Sequence, residues 1–331
     1  MYNLPSFIGI MLLILAIPLS LAALLIAQPD PKFSPLPAPT PEELATLAKR
    51  FEQPYPSRAE TLEVRDGATL NLQRYPAASD TTVLLLHGVL GSGALLNRTA
   101  GMLQEATGAE VVTLDLRGHG LRADRPGDVD YIGQYEDDVA DAIAHLRRNR
   151  PDQRIILAGH SAGGGISLRY ALKEARGAAP AVDGYLLFAP HLGSRSPTTP
   201  TTFSPEGARF VQLQLPRVLG LSLLNALGIR AANGVRVLFF NLPPELPLRA
   251  YSYRALSSLF PADHRPALKA VRAPLLVVVG SRDGSFKATE YGRVISAYSK
   301  GTVELVEGAD HEGVLTDART FEAIKRWWTP N

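Results

Sequence analysis

The chain has no cysteine in 331 residues. That absence excludes disulfides, thiolate nucleophiles, cysteine-ligated zinc, iron–sulfur clusters and a lipid-modified N-terminal cysteine. It leaves the compartment open, because exported proteins also do without cysteine. Excess charge is nearly absent as well: 34 Lys and Arg against 32 Asp and Glu leave +2, too balanced for a dedicated nucleic-acid binder. No HExxH, P-loop or GxGxxG pattern occurs, so zinc peptidase, nucleotide and dinucleotide chemistry lack support. Apolar residues, by contrast, make up 46% and charged ones 20%. This rules out a disordered chain and fits one large or two ordinary domains.

Charge is also missing locally, since Leu4–Ala27 contains no charged side chain. At about 1.5 Å per residue this stretch reaches about 36 Å as a helix, enough for a hydrocarbon core of about 30 Å. No Lys or Arg precedes it, and it is longer than the roughly 7–15-residue apolar region of a signal peptide. Residues 1–28 are therefore expected to be an N-terminal transmembrane anchor, which localises the protein to a membrane. A signal peptide cleaved near Ala22 or Ala27, and secretion, is the alternative. Only Asp30 and Lys32 flank the stretch closely, so the membrane face is undetermined. Residues 29–41 hold six prolines and read as a semi-rigid stalk. Thr40 as N-cap, Pro41 at the first helical position and Glu43 in a capping box then open the body, 42–331.

In the body, short apolar runs alternate with helical patterns. Thr61–Val64 and Thr69–Tyr75 form a hairpin around Asp66-Gly67. Further strands are expected at Thr82–Leu86, Glu110–Leu114, Arg154–Ala158, Gly184–Phe188, Pro274–Val279 and Thr302–Val306. Helices are expected at Ala94–Ala106, Gly133–Asn149, Ser161–Glu174, Lys287–Tyr298 and Thr316–Trp328. Such alternation predicts an α/β fold, a mostly parallel sheet with helices on both faces. About 85 residues before Pro274 lack clear strands, too many for a simple connection. They read as an inserted helical cap, about 192–268, over the carboxyl ends of the strands, with apolar helices around Val211–Leu227, Val235–Phe240 and Tyr251–Leu259. Residues 205–260 carry six arginines and two glutamates but no lysine or aspartate. That composition suits a greasy entrance tolerant of anionic headgroups, or a cap that merely packs on the body.

Gly159-His160-Ser161-Ala162-Gly163 fits G-x-S-x-G between a predicted strand and a predicted helix. This is the setting in which a serine stands out on a strained turn. A serine hydroxyl needs a base, and the base an orienting acid. In the chain order serine, acid, histidine, Asp283 follows a strand, and of the seven histidines only His311 lies beyond it. All three then occupy the carboxyl edge of the sheet. The oxyanion donors are expected to be the backbone N–H groups of Ala162 and of Val89, in the glycine-rich loop after Thr82–Leu86.

On these pieces the chain resembles the α/β-hydrolase superfamily over about residues 60–328. The nearest likeness is to the monoacylglycerol lipase, lysophospholipase and serine aminopeptidase-like branch. The matching motifs are Leu86-His87-Gly88, Asp115-Leu116-Arg117-Gly118-His119-Gly120, the serine motif, Gly280-Ser281-Arg282-Asp283 and Asp310-His311. The resemblance implies an eight-stranded sheet, a cap after the sixth strand, no cofactor or metal, and hydrolysis of carboxylic esters. It also implies Ser161 as nucleophile, Asp283 as acid and His311 as base. Two positions depart from the family's habit: Ala162 is small, and Gly284-Ser285 replaces a proline-containing turn after the acid.

The remaining histidines have blander readings. His87 braces the oxyanion loop, His119 packs below the site and His264 is exposed. His160 and His191 line the substrate pocket. Asp310 is a poor rival acid, because sequence neighbours rarely reach the right ring nitrogen. The expected enzyme is a membrane-tethered serine esterase or lipase acting on an ester of monoacylglycerol or lysophospholipid type. Alternatives are an acyltransferase or peptidase on the same residues, or a catalytically silent anchored binding protein. No nucleic-acid partner is expected, and the oligomeric state is not legible.

Overall fold

A computed structural model describes residues 16–36, 40–42, 54–120, 123–148, 150–202 and 205–328. In chain order, helix α1 (16–26) is followed by strands β1 (Arg58–Glu63), β2 (Thr69–Tyr75) and β3 (Thr81–Leu86). Then come α2 (Asn97–Thr107), β4 (Glu110–Leu114), α3 (Gln134–Arg147), β5 (Arg154–His160), α4 (Ala162–Ala175) and β6 (Gly184–Phe188). Next are β7 (Val211–Leu213), α5 (Leu215–Ala226), β8 (Arg236–Phe240), β9 (Ala250–Ser252) and α6 (His264–Ala270). The chain closes with β10 (Leu275–Gly280), α7 (Tyr291–Tyr298), β11 (Thr302–Val306) and α8 (Ala318–Trp328).

The chain divides into two compact units. The larger contains an eight-stranded sheet in the order β1-β2-β4-β3-β5-β6-β10-β11. β1 and β2 pair antiparallel, as do β2 and β4, and every other pairing is parallel. The hairpin turns where expected, with Gly67 at φ 81° and the Val64 amide donating to the Ala68 carbonyl. β3 lies in the middle with all six residues buried, as a strand covered on both faces must. Its alternation splits the core: Val83 and Leu85 join Ala100 and Leu103 of α2 and Phe321 and Ile324 of α8. α3, α4, α6 and α7 form a second, mutually packed helical set.

The smaller unit comprises the described residues of 1–37, 124–132 and 203–256, so the insertion after β6 departs from the main sheet where the resemblance implies a cap. It is not wholly helical. β7, β8 and β9 form a three-stranded antiparallel sheet, which corrects the helices expected at Val235–Phe240 and at the starts of Val211–Leu227 and Tyr251–Leu259. The reason is local: apolar runs of three to five residues have no readable period, and length alone does not separate a strand from a helix turn. Val211–Leu227 breaks at Gln214, where Pro216 in the first turn starts α5.

Residues 16–28 are the described part of the stretch read as a membrane anchor, and 16–26 of them are helical. Leu4–Leu15 lies outside the described residues, as does most of the capping-box helix begun at Pro41. Among the described residues no helix is long and apolar enough to cross a membrane. α1 packs against α5, where Gly220 lets the backbones meet: a Cβ there would stand 2.8 Å from the Ala22 carbonyl oxygen. The proline-rich stretch beyond it is held to the same unit. Gln214 Nε2 donates to the Pro29 carbonyl at 2.9 Å and Asn241 Nδ2 to the Ser34 carbonyl at 2.7 Å. Arg217, buried, donates to the Gln28 and Arg236 carbonyls and pairs with Asp30 at 2.7 Å.

Candidate active site

The site is built at the carboxyl ends of β3, β5, β10 and β11, in the larger unit. β5 runs straight into α4 through Ser161, which adopts φ 52° and ψ −113°. A non-glycine residue there is strained, and such strain needs a surround that enforces it. Backbone bonds supply it: the Ser161 amide donates to Phe188 at 2.9 Å, and the Ser161 carbonyl accepts from Gly165 and His191. The motif glycines are steric necessities. A Cβ on Gly159 would lie 2.4 Å from the Gly163 backbone, and one on Gly163 2.5 Å from the Leu86 carbonyl oxygen. Only bare backbone lets α4 start this close to β3 and β5.

Asp283 leaves β10 in a tight turn with its carboxylate fully buried. Oδ1 accepts the amides of Ser285 at 2.7 Å and Phe286 at 2.9 Å. Oδ2 faces His311 Nδ1 at 2.8 Å. In the Gly284-Ser285 turn it is the Ser285 backbone N–H that holds the acid. Asp310 accepts from Gly313 N at 2.6 Å and closes its own loop; the imidazole is taken by Asp283. With Nδ1 turned to the carboxylate, Nε2 of His311 is the nitrogen left for proton transfer.

His160 joins the serine turn to the His311 loop. Its Nε2 donates to the His311 carbonyl at 3.0 Å, and the two rings stand 4.7 Å apart. Burial lowers its pKa to about 4, so it is neutral. Residue Val89, side chain exposed, lies in the turn after β3 beside Leu90 at φ 59°. Among the described residues neither the Val89 amide nor the Ala162 amide has a hydrogen-bond partner. Ala162 is also the first residue of α4, where the helix dipole favours negative charge.

His87 braces this loop. Its Nδ1 faces the Gly88 carbonyl at 2.8 Å, and its Nε2 accepts the Leu116 amide at 3.0 Å. Both bonds are met only by the neutral ring, in line with a pKa lowered by burial to about 4. His119 packs edge-on against His87 at 4.8 Å and is held near 3 by the same cause. His191 stacks on Phe260 at 3.9 Å, and its Nδ1 accepts the Gly193 amide at 3.0 Å. The residue keeps some solvent exposure, while its ring is packed deeply enough that burial lowers its pKa to about 3. His264, expected exposed, is 7% exposed; capped by Asp263, α6 turns its ring onto Tyr298 at 5.5 Å.

Sequence reading missed Phe286, whose ring meets both His191 at 5.1 Å and His311 at 5.3 Å. Its one signal was its place three residues after the acid. His160, His311 and Glu312 offer ligand atoms within 4.8 Å of one another. His311 Nδ1 is already engaged by Asp283.

Fold and site together define an α/β-hydrolase. Residues 77–317 match the family described as serine aminopeptidase, S33 (Hydrolase_4), and the chain belongs to that family of hydrolases. One curated relative is the sn-1-specific diacylglycerol lipase ABHD11 of Danio rerio, 30% identical over 120 residues. That match spans 35% of this chain and 36% of the relative. Among solved structures, an esterase from Thermogutta terrifontis is 18% identical at TM-score 0.54, over 82% of this chain and 97% of that one. A hyperthermophilic esterase from Pyrobaculum calidifontis gives 17% and 0.52, over 86% and 88%. A membrane phospholipase A gives 19% and 0.53, over 98% of both chains. At such identities the likeness is one of fold.

Proposed function

We propose that the protein is a serine hydrolase of carboxylic esters, lipid-like in their acyl part, tethered to a membrane through its N-terminal segment. The observation that carries the reading is the Asp283–His311 pair at 2.8 Å on a loop bonded by His160 to the turn that bears Ser161. Ser161 Oγ attacks the acyl carbonyl while His311 Nε2 takes its proton. The carbonyl oxygen becomes an oxyanion between the free amides of Val89 and Ala162. Each such donor is typically worth about 10²–10³ in kcat. Collapse expels the alcohol, which leaves with the proton from His311. A water that gives its proton to His311 then attacks the acyl-enzyme, and His311 returns that proton to Ser161 Oγ as the acid leaves. Asp283 keeps the imidazole in the required tautomer throughout.

The lipid-like substrate draws support from the relative that acts as a diacylglycerol lipase, the neighbour that is a membrane phospholipase A, and the uncharged run Leu4–Ala27. The test is a chain-length series of monoacylglycerols, lysophospholipids and nitrophenyl esters on the full chain. Medium and long acyl chains are expected to be preferred. Much faster turnover of short nitrophenyl esters would overturn the lipid assignment, and turnover of peptide amides alone would overturn ester hydrolysis.

A further inference from the structure

The exposed large hydrophobic side chains are distributed very unevenly. All of those recorded except Val89, Leu95 and Leu305 belong to the smaller unit. Many gather on two helices, Leu19 of α1 at 38% exposure among them. On α1, Ile17, Leu21 and Leu24 recur at i, i+4 and i+7 and are exposed, while Ala22 is fully buried toward α5. On α5, Leu215 and Leu219 point outward at 54% exposure each, while Arg217 and Leu221 are buried. Leu227 and Ile229 extend the exposed set just past the helix end. Two helices locked backbone to backbone therefore both leave leucines facing solvent. Exposed apolar side chains gathered on one unit in this way mark an interaction site rather than chance exposure.

We propose that α1 and α5 form one membrane-seated surface, with the outer leucines of α5 in the acyl–headgroup boundary of a bilayer rich in anionic lipid. The occupant is argued from two observations beyond the apolar face. The sequence leading into α1 is itself without charge from Met1 to Ala16, and α1, into which it runs, is the helix that α5 packs against. The unit also carries Arg209, Arg230, Arg236 and Arg249, all exposed and without an ion pair among the described residues. Its other two cap arginines, Arg217 and Arg254, are by contrast paired with Asp30 and Asp128. Unpaired cations together with exposed leucines on one unit are what an interfacial surface presents to anionic headgroups and acyl chains. The cap is then a second foot on the membrane, and not merely cargo on a tether. This deepens the lipid-ester reading above, since an enzyme seated in the boundary meets its substrate there.

The lack of cysteine makes the test direct. Single variants Leu24→Cys, Leu219→Cys and Leu305→Cys of the full chain, each carrying an environment-sensitive dye, are reconstituted in phosphatidylcholine vesicles with and without phosphatidylglycerol. Lipids with a nitroxide in the acyl chain serve as quenchers. Quenching is expected at 24 and 219 and not at 305, with quenching at 219 stronger when phosphatidylglycerol is present. The double variant Leu215→Glu/Leu219→Glu should hydrolyse a vesicle-borne ester roughly tenfold more slowly, at about 1.4 kcal/mol per tenfold, with turnover of a soluble ester unchanged. Quenching at 24 without quenching at 219 would overturn the proposal. So would energy transfer between labels at 219 on two copies, which would mean that a second chain covers the face. Unchanged turnover of the vesicle-borne ester in the double variant would do so too. If no ester is turned over by the unaltered chain while 219 is still quenched, the hydrolase reading fails and the membrane seat stands.

Discussion

The two units use close backbone packing for opposite ends. In the larger, Gly159 and Gly163 let α4 fall onto β5 and β3, and the result is a serine turn fixed by its own backbone, with the Ser161 amide and carbonyl both bonded. In the smaller, Gly220 lets α5 fall onto α1, and the result is a surface that leaves leucines and arginines without protein partners. The difference teaches that a small residue at a helix contact says nothing by itself about burial. What matters is what the opposite face of the helix is given to do. In α4 that face meets α3 and α6; in α5 it meets solvent, or a membrane.

The sharpest way to break the comparison is at the chemistry. Ser161→Ala should lower ester turnover by about 10⁴-fold or more without loss of fold, whereas Leu219→Ala should leave a soluble ester untouched. Kinetics with circular dichroism on both variants checks this. Asp283→Asn should cost roughly 10²–10⁴ in kcat by presenting the wrong tautomer to His311, with KM little changed.

Stability should separate the units next. Gly163→Ala drives a Cβ within 2.5 Å of a backbone carbonyl in the sheet and should destabilise the fold by about 3 kcal/mol or prevent it. Gly220→Ala meets Ala22 at 2.8 Å, on a helix that can shift as a body. It should cost about 1 kcal/mol or less globally, yet increase proteolysis near residues 27–36. Equal losses of Tm would erase the distinction.

The smallest effect is one of pH. His87, His119, His160 and His191 have folded pKa values lowered to between about 3 and 4 by burial. Between those values and about 6.5 the unfolded chain binds more protons, so stability must rise with pH across that window and fall on acidification. Asp138, raised to about 6 by burial, works the other way, but four imidazoles outweigh one carboxyl. Thermal melts should lose a few kcal/mol of stability from pH 6.5 down to 4. Melts that stay flat or improve would contradict neutral buried histidines.

Much of the larger unit was legible because its signals are local. Strands of six apolar residues, the Asp66-Gly67 turn and the glycine–serine turn each declare themselves within ten residues. Chain order singled out Asp283 and His311, and the two side chains meet at 2.8 Å, because the fold that aligns strand ends also aligns the loops that leave them. The rest was hidden by distance. Nothing near Ser285 announces that its amide holds Asp283. Nothing near Phe286 announces a ring between two imidazoles, and the x of G-x-S-x-G does not disclose that His160 grips a carbonyl 151 residues away. The small sheet escaped because three-residue strands carry no period. The seating of the proline-rich stretch rests on single side chains, Gln214, Arg217 and Asn241, which no pattern singles out.

Central to the account is a serine made nucleophilic by partners gathered from across the chain. Treating the full chain with a fluorophosphonate and mapping the adduct by peptide mass spectrometry tests it most directly. The account predicts one phosphonyl group, on Ser161, lost in His311→Ala and Asp283→Asn at short reaction times. A modified residue elsewhere, or unchanged labelling after removal of His311, would contradict it.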